Sequence, residues 1–244
     1  MLIVLFAIIS LLYATVGQAG GTAFLALMAF AAFPAGEMRP TALLLNIVAA
    51  TCSTWLFDRS RLVDWVKLGP LLIASLPTAL VGGFIVLDGH FYNIATALVL
   101  LAAAVVMALP RPHETIGAHA APLSGALAIG ATVGLISGLT GVGGGVFLAP
   151  ILIALRWASP KETAAMSAPF ILANSTVGLL GALYAGQAPS ASTWAYAIAA
   201  LAGAAVGATV GLRWLSQTAT RYLLALILAS AAMQLLWLSA FRQV

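Results

Sequence analysis

Charge is what this chain lacks most. Its 244 residues include ten Lys and Arg and six Asp and Glu, 7% in all, against 63% hydrophobic residues. So little charge cannot clothe a water-facing surface, which excludes a soluble domain. The mean hydropathy of +1.10 marks a polytopic membrane protein embedded in a lipid bilayer. The longest charge-rich stretch, Asp58 to Lys67, spans only ten residues. Cysteine is almost absent too. Cys52 alone can form no internal disulfide and no Cys-x-x-Cys metal pair, so no metal and no cofactor is expected. Met1-Leu2-Ile3-Val4 lacks the basic region of a signal peptide, and the first segment is expected to be retained. The net charge of +4 needs no nucleic-acid partner, because loop Arg and Lys residues that set membrane orientation account for it.

Catalytic patterns are missing as well. There is no Gly-x-Ser-x-Gly, no His-Glu-x-x-His and no Gly-x-x-x-x-Gly-Lys. His90, His113 and His119 fall in loops. Glu37, Asp58, Asp64, Asp88, Glu114 and Glu162 fall at the ends of hydrophobic segments or between them. An intramembrane hydrolase would lack its base, and no enzyme is expected. A cation substrate would lack its counter-charge. An anion has no such need, because broken helices offer free N–H groups and the positive end of a dipole. The substrate is therefore expected to be small and anionic or strongly polar.

What the chain does have is glycine in one place. Gly141-Val142-Gly143-Gly144-Gly145 lies within Ala120 to Leu155, 36 residues without formal charge. Met1 to Gly36 is also uncharged and holds a weaker copy, Gly17-Gln18-Ala19-Gly20-Gly21. A straight helix of that length would reach ~54 Å, against a hydrocarbon core of ~30 Å. Each stretch is therefore expected to be two short segments broken at the glycines. The alternative is a glycine-rich helix packing surface. Broken backbone in lipid survives only buried in protein or lining a polar cavity, so the breaks are candidate sites.

Ten hydrophobic segments follow, five per half: a (about 1–16), b (20–35), c (41–57), d (68–87) and e (91–109), then a′ (123–140), b′ (144–155), c′ (163–185), d′ (193–212) and e′ (222–241). They predict an all-α polytopic membrane protein, one transmembrane domain over 1–244. Repeat one covers about 1–110, a linker 111–122, and repeat two about 123–244. Gly17, Gly20 and Gly21 match Gly141, Gly144 and Gly145, and Thr41-Ala42 with Ser53-Thr54 matches Thr163-Ala164 with Ser175-Thr176. The basic loops swap between halves. Arg59, Arg61 and Lys67 lie between c and d, whereas Arg156 and Lys161 lie between b′ and c′, and Arg213 and Arg221 between d′ and e′. Placing these seven and Arg111 in the cytoplasm leaves Arg39 and Arg242 outside, which requires inverted-topology repeats with both termini outside. The glycine-rich pairs a–b and a′–b′ either cross twice or re-enter. If re-entrant, their tips meet near the midplane, where inverted-repeat transporters bind substrate.

The candidate substrate-binding residues are Gly17, Gln18, Gly20, Gly21, Thr22 and Asn46 from the first half. Thr140, Gly141, Gly143, Gly144, Gly145 and Asn174 are their counterparts in the second. Backbone amides of Gly20-Gly21-Thr22 and Gly143-Gly144-Gly145 form the expected cup. For the polar side chains the alternative is a hydrogen bond between helices or back to the same helix.

The run from Gly134 through Thr140 and the glycines to Pro150, GLISGLTGVGGGVFLAP, resembles the second-half signature of the TauE/SafE sulfite exporter family, the toluene-sulfonate uptake permeases. Tyr13 to Gly21, YATVGQAGG, resembles the first-half copy, with Ala19 where a run richer in glycine would stand. The resemblance covers essentially the whole chain. It implies a transporter of sulfur-containing anions such as sulfite, sulfonates or sulfoacetate in the bacterial inner membrane, working by alternating access between the repeats. Other readings are a passive anion channel or a membrane assembly protein without flux. The oligomeric state stays open, a homodimer included.

Overall fold

The computed structural model describes residues 1–31, 33–85 and 121–214, with isolated positions at 101, 105, 216, 218, 219, 222, 225, 226, 229, 230, 233 and 237. Segment e, most of e′ and most of the linker lie outside the described residues. Within them the elements are all helical: α1 (Leu2–Ala14), α2 (Gly21–Phe30), α3 (Ala35–Arg59), α4 (Trp65–Phe84), α5 (Leu123–Thr140), α6 (Gly145–Ala154), α7 (Pro160–Tyr184) and α8 (Thr193–Trp214). Among these, α3, α4, α5, α7 and α8 are long and apolar enough to cross a membrane, while α1, α2 and α6 are shorter apolar helices.

Local chemistry sets the ends. At α7, Ser159 and Glu162 form a capping box, the Ser159 hydroxyl accepting from the Glu162 amide and the Glu162 carboxylate from the Ser159 amide. Pro160 follows at the first helical position, where its missing N–H costs nothing. Asp64 caps α4, accepting from the Val66 and Lys67 amides at 3.1 and 3.0 Å. Pro169 lies within α7, which continues past it to Tyr184.

One placement differs from the sequence reading. Arg39 was expected in an exterior loop between b and c, but α3 begins at Ala35 and Arg39 is 8% exposed. Its guanidinium donates to the carbonyls of Ile85 at 2.8 Å, Gly82 at 3.3 Å and Gly83. Those are carbonyls at the carboxyl end of α4, the negative end of its dipole, so the helix itself makes a buried cation tolerable there.

Backbone approaches give the directions of the helices. Gly130, Gly134 and Gly138 of α5 lie against the backbones of Leu71, Ser75 and Ala79, so α5 runs parallel to α4. Gly203, Gly207 and Gly211 of α8 lie against Ala7, Leu11 and Thr15, so α8 runs parallel to α1. Glycine every fourth residue puts a bare stripe on one helix face, and the partner's backbone closes onto it. Helices α3 and α7 run antiparallel. Leu43 lies against Gly178, while Phe57 packs with Ala165 and Ala168.

The helix ends gather into two groups. At one, Lys67 pairs with Glu162 at 3.7 Å, and Leu212 joins Phe57, Ala165 and Ala168. At the other, Arg39 meets Ile85, the Ser190 amide donates to Thr41 Oγ1 at 2.9 Å, and Met1 to Ile3 share a shallow cavity with Ser192, Ala195 and Tyr196.

A candidate substrate site at two glycine turns

Both glycine runs are breaks. The first joins α1 to α2 through Gly17 at φ 72° and Gly20 at φ 109°; the second joins α5 to α6 through Gly141, Gly143 and Gly144 at φ 75°, 88° and 79°. A side chain rarely tolerates that left-handed region. The two turns differ at one matched position. Gly143 is left-handed, whereas Ala19, its counterpart, is absent from the residues of positive φ. The shorter left-handed path explains why the first copy accepts a methyl group there.

Gly20 and Gly144 are the N-caps of α2 and α6, and neither helix has a side-chain cap. Among the described residues, the amides of Gly20, Gly21, Thr22, Gly143, Gly144 and Gly145 donate to no protein acceptor. Every residue from Tyr13 to Thr22 and from Thr140 to Pro150 is buried. Two positive helix ends with unsatisfied donors are thus enclosed in protein, a polarity suited to negative charge.

The turns meet. A Cβ on Gly21 would stand 2.6 Å from the Val142 carbonyl oxygen and 2.7 Å from Asn46 Nδ2, and one on Gly145 would stand 2.8 Å from Gln18 Oε1. Gln18 Nε2 donates to the Gly145 carbonyl at 3.1 Å, tying the first turn to the second. Asn46 Nδ2 donates to the Gly141 carbonyl at 3.2 Å, tying α3 to the second turn.

The remaining expected residues take different positions. Thr22 exchanges a hydrogen bond with Tyr13 Oη at 3.0 Å. Thr140 accepts from the Val142 amide at 3.1 Å and so shapes the turn. Gly17 packs on the Ala164 backbone, and Gly20 on Ile9 and Phe24. Asn174 is fully buried, its Nδ2 donating to Phe170 of its own helix at 2.9 Å.

Side chains outside that set also reach the turns. Ser175 Oγ would stand 2.9 Å from a Cβ on Gly143, and Ser137 Oγ 3.3 Å from one on Gly144. Both hydroxyls, and that of Ser167, are buried with no partner among the described residues. Ser175 belongs to the repeat match and Ser137 to the glycine-rich signature, but only their registers against the turns single them out. Arg39 also borders the site, its Cγ 2.9 Å from a Cβ on Gly141. No sequence signal separated this arginine from the loop residues around it.

The family model for Sulfite exporter TauE/SafE matches residues 2–235. A probable membrane transporter protein of Sinorhizobium fredii, y4hK, is 36% identical over 241 residues, 97% of each chain. A probable membrane transporter protein of Bacillus subtilis, YunE, is 25% identical over 191 residues, 70% of this chain and 68% of that one. No solved structure matches. With a family model over nearly its whole length, broken uncharged segments and membrane-length helices, this chain belongs to the TauE/SafE sulfite exporter family of membrane transporters.

Proposed function

We propose that this protein is a secondary transporter of small sulfur-containing anions such as sulfite, sulfonates or sulfoacetate, binding them between the two glycine turns. One observation carries the reading: the uncapped amino ends of α2 and α6 meet in a buried setting, with free amides and no carboxylate among the described residues that line them. Anion binding at helix amino ends follows from the dipole and the orphan N–H groups. Every residue of both turns is buried, so loading requires the hairpins to separate.

The working cycle is alternating access by inverted repeats. Supporting this, the matched helices α3 and α7 run antiparallel, and the parallel pair α1/α8 has its counterpart in α5/α4. At ten residues, α2 and α6 each rise about 15 Å, half of a core of about 30 Å, which suits re-entrant hairpins with midplane tips. Orientation follows from charge. The helix ends carrying Arg59, Lys67, Lys161 and Arg213 gather at one face, which the positive-inside rule makes cytoplasmic, in a bacterial inner membrane. Met1 gathers with the opposite face, outside.

Sealed vesicles containing the purified protein test this. Sulfite accumulated against its gradient under an imposed ion or pH gradient supports secondary transport. Equilibration alone identifies a channel, and no flux identifies an assembly protein.

A further inference from the structure

We propose that sulfite is carried as its monoprotonated oxyanion, whose own O–H donates to the site, so that this substrate itself carries the proton. This rests on the reading of the turns as an anion site.

The observation is a group of buried acceptors without donors. Gln18, Asn46 and Asn174 each direct the NH2 of the carboxamide to a backbone carbonyl, at Gly145, Gly141 and Phe170. That choice settles which end is oxygen, because a flipped amide would set oxygen against oxygen. Gln18 Oε1, Asn46 Oδ1 and Asn174 Oδ1 are left buried, with no donor among the described residues. All three residues are at most 1% exposed. Leaving a buried acceptor unmet costs free energy comparable to a lost hydrogen bond. A fully deprotonated oxyanion offers these oxygens nothing and is repelled by them.

Gln18 Oε1 faces Gly145, and Asn46 is anchored beside Gly143 and Gly21. Acceptors therefore stand among the free amides of the turns. Donors and acceptors mixed in one neutral site match an anion that both accepts and donates. The amides take the charged oxygens, and a carboxamide oxygen takes the O–H. A bare cation would use the same oxygens, but it would lie against two positive helix ends. The proton gains and loses nothing in transit: it enters on the oxyanion and leaves on it, so no buried carboxylate is required for its movement.

Among the described residues, the charged and titratable side chains facing the turns from the packed elements are Tyr13 of α1 and Arg39 of α3. Phenols and guanidinium groups ionise well above neutral pH, so a pH response near neutrality belongs to the ligand.

Calorimetric titration of the full chain in lipid nanodiscs tests this, with inorganic sulfite and methanesulfonate as probes. Sulfite can be protonated near neutrality, and methanesulfonate stays deprotonated without an O–H. Sulfite affinity is expected to fall about tenfold per pH unit above its second ionisation, while methanesulfonate affinity stays level. In Gln18→Leu, which removes the acceptor that faces Gly145, sulfite below that ionisation is expected to lose about tenfold more affinity than methanesulfonate. The wild-type pH profile decides alone if the variant does not fold. Sulfite affinity that ignores pH or rises with the dianion overturns the inference while leaving the anion site intact. Binding that depends on sodium at constant pH does the same. No binding of either anion at any pH overturns the anion site itself.

Discussion

At the scale of single residues, the glycines divide by what a methyl group would meet. Gly144 combines φ 79° with neighbours at 2.9 Å (Phe170) and 3.1 Å (Ser137) for any added Cβ. Gly144→Ala is therefore expected to cost about 1–2 kcal/mol from the left-handed backbone alone, and to lower anion affinity more than Tm. Gly69 has nothing within 4 Å of that position. Gly69→Ala should leave both affinity and Tm near wild type, or raise Tm slightly as helix propensity improves. Gly82 would be a poor control, because a Cβ there would stand 2.5 Å from the Leu135 carbonyl oxygen. Thermal melts and sulfite titration on the two variants check the order. Equal loss of affinity in Gly144→Ala and Gly69→Ala would remove the turn from the site.

At the scale of elements, two features hold the hairpins in register. One is the pair of glycine stripes, on α5 against α4 and on α8 against α1. Gly134→Leu or Gly207→Leu would drive a side chain into the backbone of Ser75 or Leu11. Overpacking of this kind typically costs about 1–3 kcal/mol, to be read as lost Tm and lost monodispersity in detergent. The other is Arg39, which joins α3 to the end of α4 beneath Gly141. Charged hydrogen bonds contribute about 1.5–3 kcal/mol, so Arg39→Ala is expected to lower stability by about that much. Arg39→Lys should restore little, since an ammonium cannot span three carbonyls as a planar fork does. Unfolding in graded denaturant compares the pair. A lysine variant as stable as wild type would make the guanidinium geometry irrelevant.

At the scale of the whole molecule, the prediction is about sides. Ser60 follows α3 at the end that holds the Lys67–Glu162 pair, and Ser192 precedes α8 at the end that holds Arg39. Both are exposed. In a Cys52→Ser background, Ser60→Cys and Ser192→Cys should react with an impermeant thiol reagent from opposite sides, Ser60→Cys only after permeabilisation. Labelling of both from one side would overturn the inverted arrangement. The two halves also interlock within the fold. The first hairpin packs on α8 and the second on α4, so each half closes on an element of the other. Neither half buries its own glycine turn alone, and the chain is expected to lose folding, not merely transport, when expressed as separate halves without co-expression.

The amino-acid sequence by itself determined the class of solvent, the order of the described segments, and the location of both breaks, while the start of α3 lies six residues before the limit read from hydropathy. These rest on local quantities: hydropathy per residue, segment length against bilayer thickness, and the conformational freedom of glycine. It also brought Gln18, Asn46 and the glycines forward as candidates, because polar groups are rare in such a chain. Tertiary structure decided what those groups face. Gln18 bonds across 127 residues of chain to Gly145, and Asn46 across 95 to Gly141. Nothing local encodes such a pairing. The same holds for Arg39, whose burial depends on where the end of α4 comes to rest, and for the glycine stripes, whose partners belong to the opposite half. A residue's own chemistry states what it needs, and only the packing of distant helices states what meets that need.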